Sequence, residues 1–367
     1  MKRTKPPFRA DHVGSLLRPQ AIKEAREKKA KGAISAADLK AVEDREIERV
    51  IKQQEDAGLQ AITDGEFRRS WWHLDFLWGL KGADKFVPTT GVAFAGVNTR
   101  SEGVQVVGKL DFAGHPMIDH FKFVKDHTKQ TPKITIPAPS AIYGRPMMTP
   151  INKQAYPEMD RFWDDLGQAY KKAVRGFADA GCRYLQLDEV FIAMLCDPKY
   201  RDQMTKRGDD PEKLGPLYAD LINAAMSDIP SDMTITMHLC RGNYKSTFMG
   251  AGAYDAEAEV LFHRTNVHGY FMEYDSERAG GFEPLRLVPK GKIVVLGLVT
   301  TKTGQLESKD TIKRRIDEAA KFVSLDQLAL SPQCGFASTE EGNALTDEEQ
   351  WAKLRMIVEV ADEVWGR

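Results

Sequence analysis

Apolar positions along the chain keep two rhythms. Short runs rich in β-branched residues recur, and between them lie longer stretches with apolar residues three or four apart. The short runs read as strands: FRADHVGSLLRP (8–19), AITDGE (61–66), KITIPAP (133–139), RYLQLDE (183–189), TITMHLC (234–240), GYFMEYD (269–275), KIVVLGLV (292–299) and QLALSPQCG (327–335). The longer stretches predict helices over 35–58, with Ser35 as N-cap, and over 158–180, 211–228, 255–264, 308–323 and 346–366. Several runs stay apolar without polar alternation, the pattern of a parallel sheet buried on both faces. Strand-then-helix units in this number predict an α/β fold, a (β/α)8 TIM barrel. A doubly wound dinucleotide fold is disfavoured, because no glycine-rich phosphate loop follows the first strand. The stretch GVAFAGVNTRSEGVQVVGKLDF (91–112) alternates with period two, so an inserted β-hairpin is expected around 88–115. No low-complexity linker divides the chain, and residues 1–367 are expected to form a single domain.

Charge narrows the function classes. Lys and Arg total 52 and Asp and Glu 53, a net charge of -1, which leaves no broad footprint for nucleic acid or an anionic membrane. No apolar run is long enough to span a bilayer. The N-terminal MKRTKPPFRADHVGS is basic but has no apolar core of a secretory signal, so a cytoplasmic location is expected. Four cysteines in 367 residues do not make a disulfide framework. Cys182 and Cys196 sit among apolar neighbours and read as packing. Cys240 and Cys334 follow apolar runs and stand beside Arg or Gly.

In a barrel of this type the active site gathers at the C-terminal strand ends. The polar residues there are Gly14 and Ser15, Asp64 and Glu66, Asp188 and Glu189, His238 and Cys240, Glu273 and Asp275, and Cys334. His238, Cys240, Glu273 and Cys334 form a coherent donor set for tetrahedral Zn²⁺. Residues two apart on a strand point the same way, so His238 and Cys240 can share one ion. The bland reading is Cys334 as a buried small residue and Glu273 as a helix cap or the partner of an arginine. Glu66 and Asp188 suit a substrate ammonium group, or else ion pairs with Arg18, Arg68 or Arg69. The aromatic run SWWHLDFLWGL (70–80) offers a donor pocket, with His73 as a candidate proton donor, or simply a helix packed over the mouth.

These motifs, in order, are DHVGSLLRP, ITDGEFRR, LQLDE, MHLC, the glutamate of YFMEYD, and SPQCGF. Together they resemble the catalytic, C-terminal barrel of cobalamin-independent methionine synthase, in a short single-barrel form. The resemblance implies His238, Cys240, Glu273 and Cys334 as zinc ligands, Gly14 and Ser15 at the amino-acid carboxylate, and Glu66 and Asp188 at the homocysteine ammonium. It implies transfer of a methyl group to the thiol of homocysteine, giving methionine. The likeness breaks on the donor side. The family's D-I-H-S-P, which carries the proton donor for the folate, is replaced by LVTTKTGQLES, with Thr301 or Lys302 in the histidine's place. A tryptophan that the family places after its third strand is also missing from TIPAPSAIYGRP. The methyl donor is therefore left open between methyltetrahydrofolate, a corrinoid protein and another small methyl compound. Rival readings are an epoxyalkane:coenzyme M transferase using the same zinc set, a metal-free uroporphyrinogen decarboxylase-like barrel, and a non-catalytic zinc- or amino-acid-binding barrel. No nucleic-acid or membrane partner is expected, and a homo-oligomer is left open.

Overall fold

A computed structural model describes residues 3–89, 91–94, 96–145 and 149–366. Thr90 and Ala95, inside the span expected for the hairpin, lie outside the described residues, as do both chain ends of the expected 1–367 domain.

The fold is mixed α/β. Six parallel strands lie in sequential order: β2 Ile134–Pro137, β3 Tyr184–Glu189, β4 Thr234–Leu239, β5 Gly269–Glu273, β6 Ile293–Val299 and β7 Leu328–Pro332. A seventh, β1 Ala61–Ile62, pairs in parallel with Thr131–Pro132 just before β2, and the Lys133 amide donates to the Ile62 carbonyl. At the other edge Ala10 bridges Leu330 of β7 in parallel. The Leu16 amide meanwhile donates to Gly65, beyond β1.

The expected first strand is thus reduced to a single bridge. The carbonyls that should form a ladder are taken by side chains instead. His12 accepts from Lys133 Nζ, Val13 from Gln186 Nε2 at 3.0 Å, and Gly14 from Thr63 Oγ1 at 2.7 Å. The helix expected over 255–264 also differs. It is a 3-10 turn at Tyr254–Glu257 followed by a π turn at Val260–Arg264. The helix Gln20–Ala30 has only Ile22 and Ala25 buried, too thin a stripe to register as a pattern. The long helices have ordinary causes. Ser35 and Asp38 form a capping box at Ala36–Asp56, as Thr346 and Glu349 do at Asp347–Trp365.

Register separates two faces of the sheet. Leu185, Leu187, Ile235, Met237, Tyr270, Met272, Val294 and Leu296 belong to the large core shared with the helices. The alternate positions carry Gln186, Asp188, Thr236, His238, Phe271 and Glu273, all buried. On that second face a small apolar cluster of Val13, Phe271, Ile293, Val295 and Ala329 fills the layer beneath the polar groups. Below it the fully buried Lys133 pairs with Asp11 at 3.2 Å. The apolar layers anchor the strands, and the polar tips stand at their C-terminal ends. An antiparallel pair, Lys81–Phe86 with Gly103–Asp111, projects between β1 and β2. Its ladder begins at Lys81, seven residues before the expected start at 88. Beyond it Ala93–Phe94 pairs with Val97–Asn98. No helix among the described residues is long and apolar enough to cross a membrane.

Candidate functional site

Three strand ends bring His238, Cys240, Glu273 and Cys334 together. One ligand-type atom from each lies within 4.8 Å of the others, and all four residues are buried. His238 is the penultimate residue of β4, Cys240 follows its end, Glu273 closes β5, and Cys334 lies two residues beyond β7. The two sulfurs are 3.6 Å apart. A disulfide needs about 2.05 Å. Two sulfurs bound tetrahedrally to one zinc, each at about 2.3 Å, stand about 3.8 Å apart. The spacing fits shared coordination and excludes a bond, and all four cysteines are free. Ionised, the two sulfurs and the Glu273 carboxylate would crowd negative charge into one buried point, which a divalent cation offsets. The residues present therefore fit Zn²⁺.

The Cys240 thiol hydrogen-bonds Cys334, which pushes Cys240 well up and Cys334 well down. Burial would push the His238 imidazole down, but Cys334 and Asp188 beside it hold it well above its ordinary value. Burial raises Glu273, opposed by the charges of Lys302 and Arg278. The surrounding contacts orient each group. His238 Nδ1 stands 3.3 Å from Asp188 Oδ1, and the Gly242 amide donates to the Cys240 sulfur at 3.3 Å. Glu273 accepts from the Arg241 amide at 3.1 Å and from Arg278 at 3.0 Å.

A cavity of about 790 Å³, its mouth included, opens beside this cluster. Its wall includes Ser15, Glu66, Asp188, His238, Cys240 and Cys334. Glu66 and its neighbour Gly65 both hold left-handed backbone, at φ 60° and 64°. For glutamate that conformation is strained, and strain of this kind collects at functional sites. The Asp64 side chain stabilises the turn by accepting from the Glu66 amide at 2.8 Å. Glu66 Oε1 accepts from Thr135 Oγ1 at 2.7 Å and lies 3.5 Å from Arg69. Glu66 Oε2 is buried with no hydrogen-bond partner among the described residues. Gly14, at φ 143°, leaves room for this arrangement: a Cβ there would stand 2.9 Å from Thr135 Cγ2 and 3.4 Å from Glu66 Oε1.

Glu66 keeps an arginine partner and a free oxygen. Asp188 engages His238 and accepts from Gln186 Nε2 at 2.7 Å. Glu189 turns away from the cavity and caps the next turn, accepting from the amides of Phe191 and Ile192. The aromatic run divides. Trp71, Trp72 and His73 line the cavity, while Phe76 enters the core and Trp78 bonds the hairpin carbonyl of Gly103. The His73 ring lies against Trp72, centroids 4.4 Å apart and planes tilted by 33°. Burial and the nearby Arg145 charge push its pKa well down, so it is a neutral imidazole at neutral pH.

Sequence reasoning passed over several wall residues: Arg145, Asn243, Tyr244 and Ser338, together with Val92, Phe94 and Thr99 from the hairpin region. Asn243 had a signal, since it closes the HLCRGN run beside two of the cluster residues. Arg145, eight residues past the end of β2 at Pro137 and in a loop, had none. Lys302 Nζ reaches Asn243 Oδ1 and Gln333 Oε1, each at 3.4 Å. It thus stands near the cluster in the segment where the donor histidine was looked for.

The family described as cobalamin-independent synthase, catalytic domain, matches residues 8–363. The uncharacterized protein YxjH of Bacillus subtilis (strain 168) is 50% identical over 366 residues, covering 99% of this chain and 96% of its own. The methionine synthase of Pyrococcus abyssi is 25% identical over 325 residues, covering 88% of this chain and 84% of its own. A crystal structure from Listeria monocytogenes, provisionally described as a vitamin-B12 independent methionine synthase, superposes with TM-score 0.80 at 40% identity over 100% of both chains.

Proposed function

This chain belongs to the family of the cobalamin-independent synthase catalytic domain, and on that premise we propose that it is a zinc-dependent methyltransferase that methylates the thiol of homocysteine to give methionine. The observation that carries the reading is the convergence of His238, Cys240, Glu273 and Cys334 beside a cavity that also holds an unpartnered carboxylate oxygen.

Those four side chains would hold the metal. When bound, zinc keeps a substrate sulfur as thiolate at a pH where a free thiol, with a pKa of about 8.5, is mostly protonated. Asp188 orients the His238 ring through Nδ1 at 3.3 Å, so that Nε2, which lies 3.2 Å from the Gln333 carbonyl, would be the nitrogen to hold the metal. The Arg241 amide and the Arg278 guanidinium orient the Glu273 carboxylate, the group that would complete the ligand set. Glu66 Oε2 accepts from the homocysteine ammonium, and Ser15 with the backbone at Gly14 receives its carboxylate. Coenzyme M has no ammonium group and would leave that glutamate oxygen unanswered. Trp71, Trp72 and His73 form the wall open to the methyl donor, which is methyltetrahydrofolate, a methylated corrinoid protein or another small methyl compound. The family's donor histidine is absent, so the leaving group must take its proton elsewhere.

The reading of residues 1–367 as one closed (β/α)8 barrel with an inserted hairpin is supported by the segment at 9–16. It bonds to β7 on one side and to the turn after β1 on the other. A cytoplasmic location is supported by four unpaired cysteines.

The test is metal analysis of the purified protein followed by a donor screen with homocysteine, scored by methionine formed. About one zinc per chain and donor-dependent methionine are expected, and both are lost in Cys334→Ser. Full zinc and full turnover in that variant would overturn the proposal.

A further inference from the structure

Arg145 is a buried cation without an acidic partner among the described residues. Its residue is 5% exposed and lines the cavity. Among the described residues its guanidinium makes one hydrogen bond, to the backbone carbonyl of Glu102 at 3.2 Å. The Glu102 carboxylate faces elsewhere, accepting from Trp71 Nε1 at 2.7 Å and pairing with Arg100 at 3.2 Å. No ion pair to Arg145 occurs among the described residues. Its pKa falls to about 10 through burial alone, with no neighbouring carboxylate to oppose the shift, and it remains charged at neutral pH. Pro146, Met147 and Met148, which follow it, bring no carboxylate in sequence.

A guanidinium taken out of water without a counter-charge is costly to fold around. Arg69 meets Glu66 and Thr135, Arg18 donates to four backbone carbonyls, and Arg278 pairs with Glu273 and Asp275. Arg241 and Lys302 have no ion pair among the described residues, but neither lines the cavity, whose wall holds no Arg or Lys except Arg145 among the described residues.

It stands on the tryptophan side of the cavity, because it bonds the backbone of Glu102, whose carboxylate accepts from Trp71 Nε1. Its charge also acts on His73, whose ring lies tilted against Trp72 at 4.4 Å and edge-on to Trp71 at 5.9 Å. A cation beside an aromatic wall matches a ligand with a flat or apolar body and an anionic group. A carboxylate or phosphate oxygen pair also fits the two-pronged guanidinium.

We propose that Arg145 is the specificity residue for the second substrate, and that the methyl donor carries an anionic group which this guanidinium receives against the Trp71–Trp72–His73 wall. The inference rests on the reading of the opposite side of the cavity as the thiol site. It narrows the donor to an anionic small molecule and disfavours a neutral methyl compound.

The test needs no turnover. Benzoate and its neutral isostere benzamide are titrated into zinc-loaded protein, read by the fluorescence of the cavity tryptophans. Benzoate is expected to bind about tenfold tighter or better, the scale of one charge-assisted pair. Arg145→Gln should erase the difference and Arg145→Lys restore part of it, with zinc content unchanged and a melting temperature no lower than that of wild type. Equal or undetectable affinity for the two probes in wild type, or a preference that survives Arg145→Gln, would overturn the proposal. Displacement of benzoate by homocysteine would also overturn it, since the anion would then belong to the thiol substrate. Failure to form methionine, with the benzoate preference intact and dependent on Arg145, would sink the thiol chemistry and leave the anion site standing.

Discussion

Replacing Glu66 with glutamine removes one charge and almost no volume, and its consequences can be worked from the contacts. The left-handed turn at 65–66 is built by backbone and by Asp64, so the variant keeps it. Thr135 can still donate to the amide oxygen. Arg69 retains Thr135, and Arg18 retains its backbone carbonyls. Breaking a buried ion pair usually costs about 3–5 kcal/mol. Here burial already penalises the charged form and raises the Glu66 pKa, opposed by Arg69 and Arg18, so the loss in stability should be nearer 1–2 kcal/mol, at the low end of single substitutions. Binding is affected more selectively. A carboxylate and an ammonium about 4 Å apart attract by about 4 kcal/mol at an effective dielectric of 20. The ammonium also gives up hydration, so the net value of one charge-assisted hydrogen bond, about 1.5–3 kcal/mol, is the better guide. That predicts roughly a 10- to 150-fold weaker homocysteine affinity. The assay is calorimetry of zinc-loaded protein with homocysteine and with 4-mercaptobutyrate, which keeps the thiol and carboxylate but lacks the amine. Glu66→Gln should weaken the first and leave the second nearly unchanged, and only that difference isolates the ammonium contact. Because the raised pKa means Glu66 protonates sooner than an ordinary glutamate, wild-type affinity for homocysteine should fall on acidification before that for 4-mercaptobutyrate. Equal weakening of both thiols, or of neither, would refute the assignment of Glu66 to the amine.

Two further outcomes follow from buried titrating groups. Burial lifts Glu189 to about 7 in spite of its hydrogen bonds to Ser140, Phe191 and Ile192. With a folded pKa above an unfolded value of about 4.5, its contribution to stability is complete below about pH 4.5 and is lost as pH rises through about 7. Between pH 5 and pH 8 wild type should therefore lose ~2–3 kcal/mol more than Glu189→Gln in urea denaturation, and parallel losses would contradict the assignment. His73 is neutral through this range, so His73→Gln should leave the slope of kcat/KM between pH 6 and 8 unaltered. Disappearance of a limb from the pH profile would instead identify His73 as the titrating proton donor.

The fold and the site were legible to different degrees, for physical reasons. Strands β3 to β7 were readable because burial on both faces demands unbroken apolar runs. The segment at 8–19 carries the same composition but does not form a strand, because Lys133, Thr63 and Gln186 compete for its carbonyls. No local pattern records a hydrogen bond from 120 residues away. The candidate metal residues were visible because polar side chains ending apolar strands have few other reasons to be there. Arg145 was not visible, since its meaning lies in the missing counter-charge, a property of the space around it.

The sequence by itself determined where the strands run and which polar residues stand at their ends, because periodicity and burial are written residue by residue along the chain. Only the tertiary structure decided that four of those residues meet within a few ångströms, that Glu66 keeps one oxygen free while Asp188 turns to His238, and that Arg145 faces an open cavity. Distances between segments are fixed by how the sheet curls and packs, and that depends on all the strands at once.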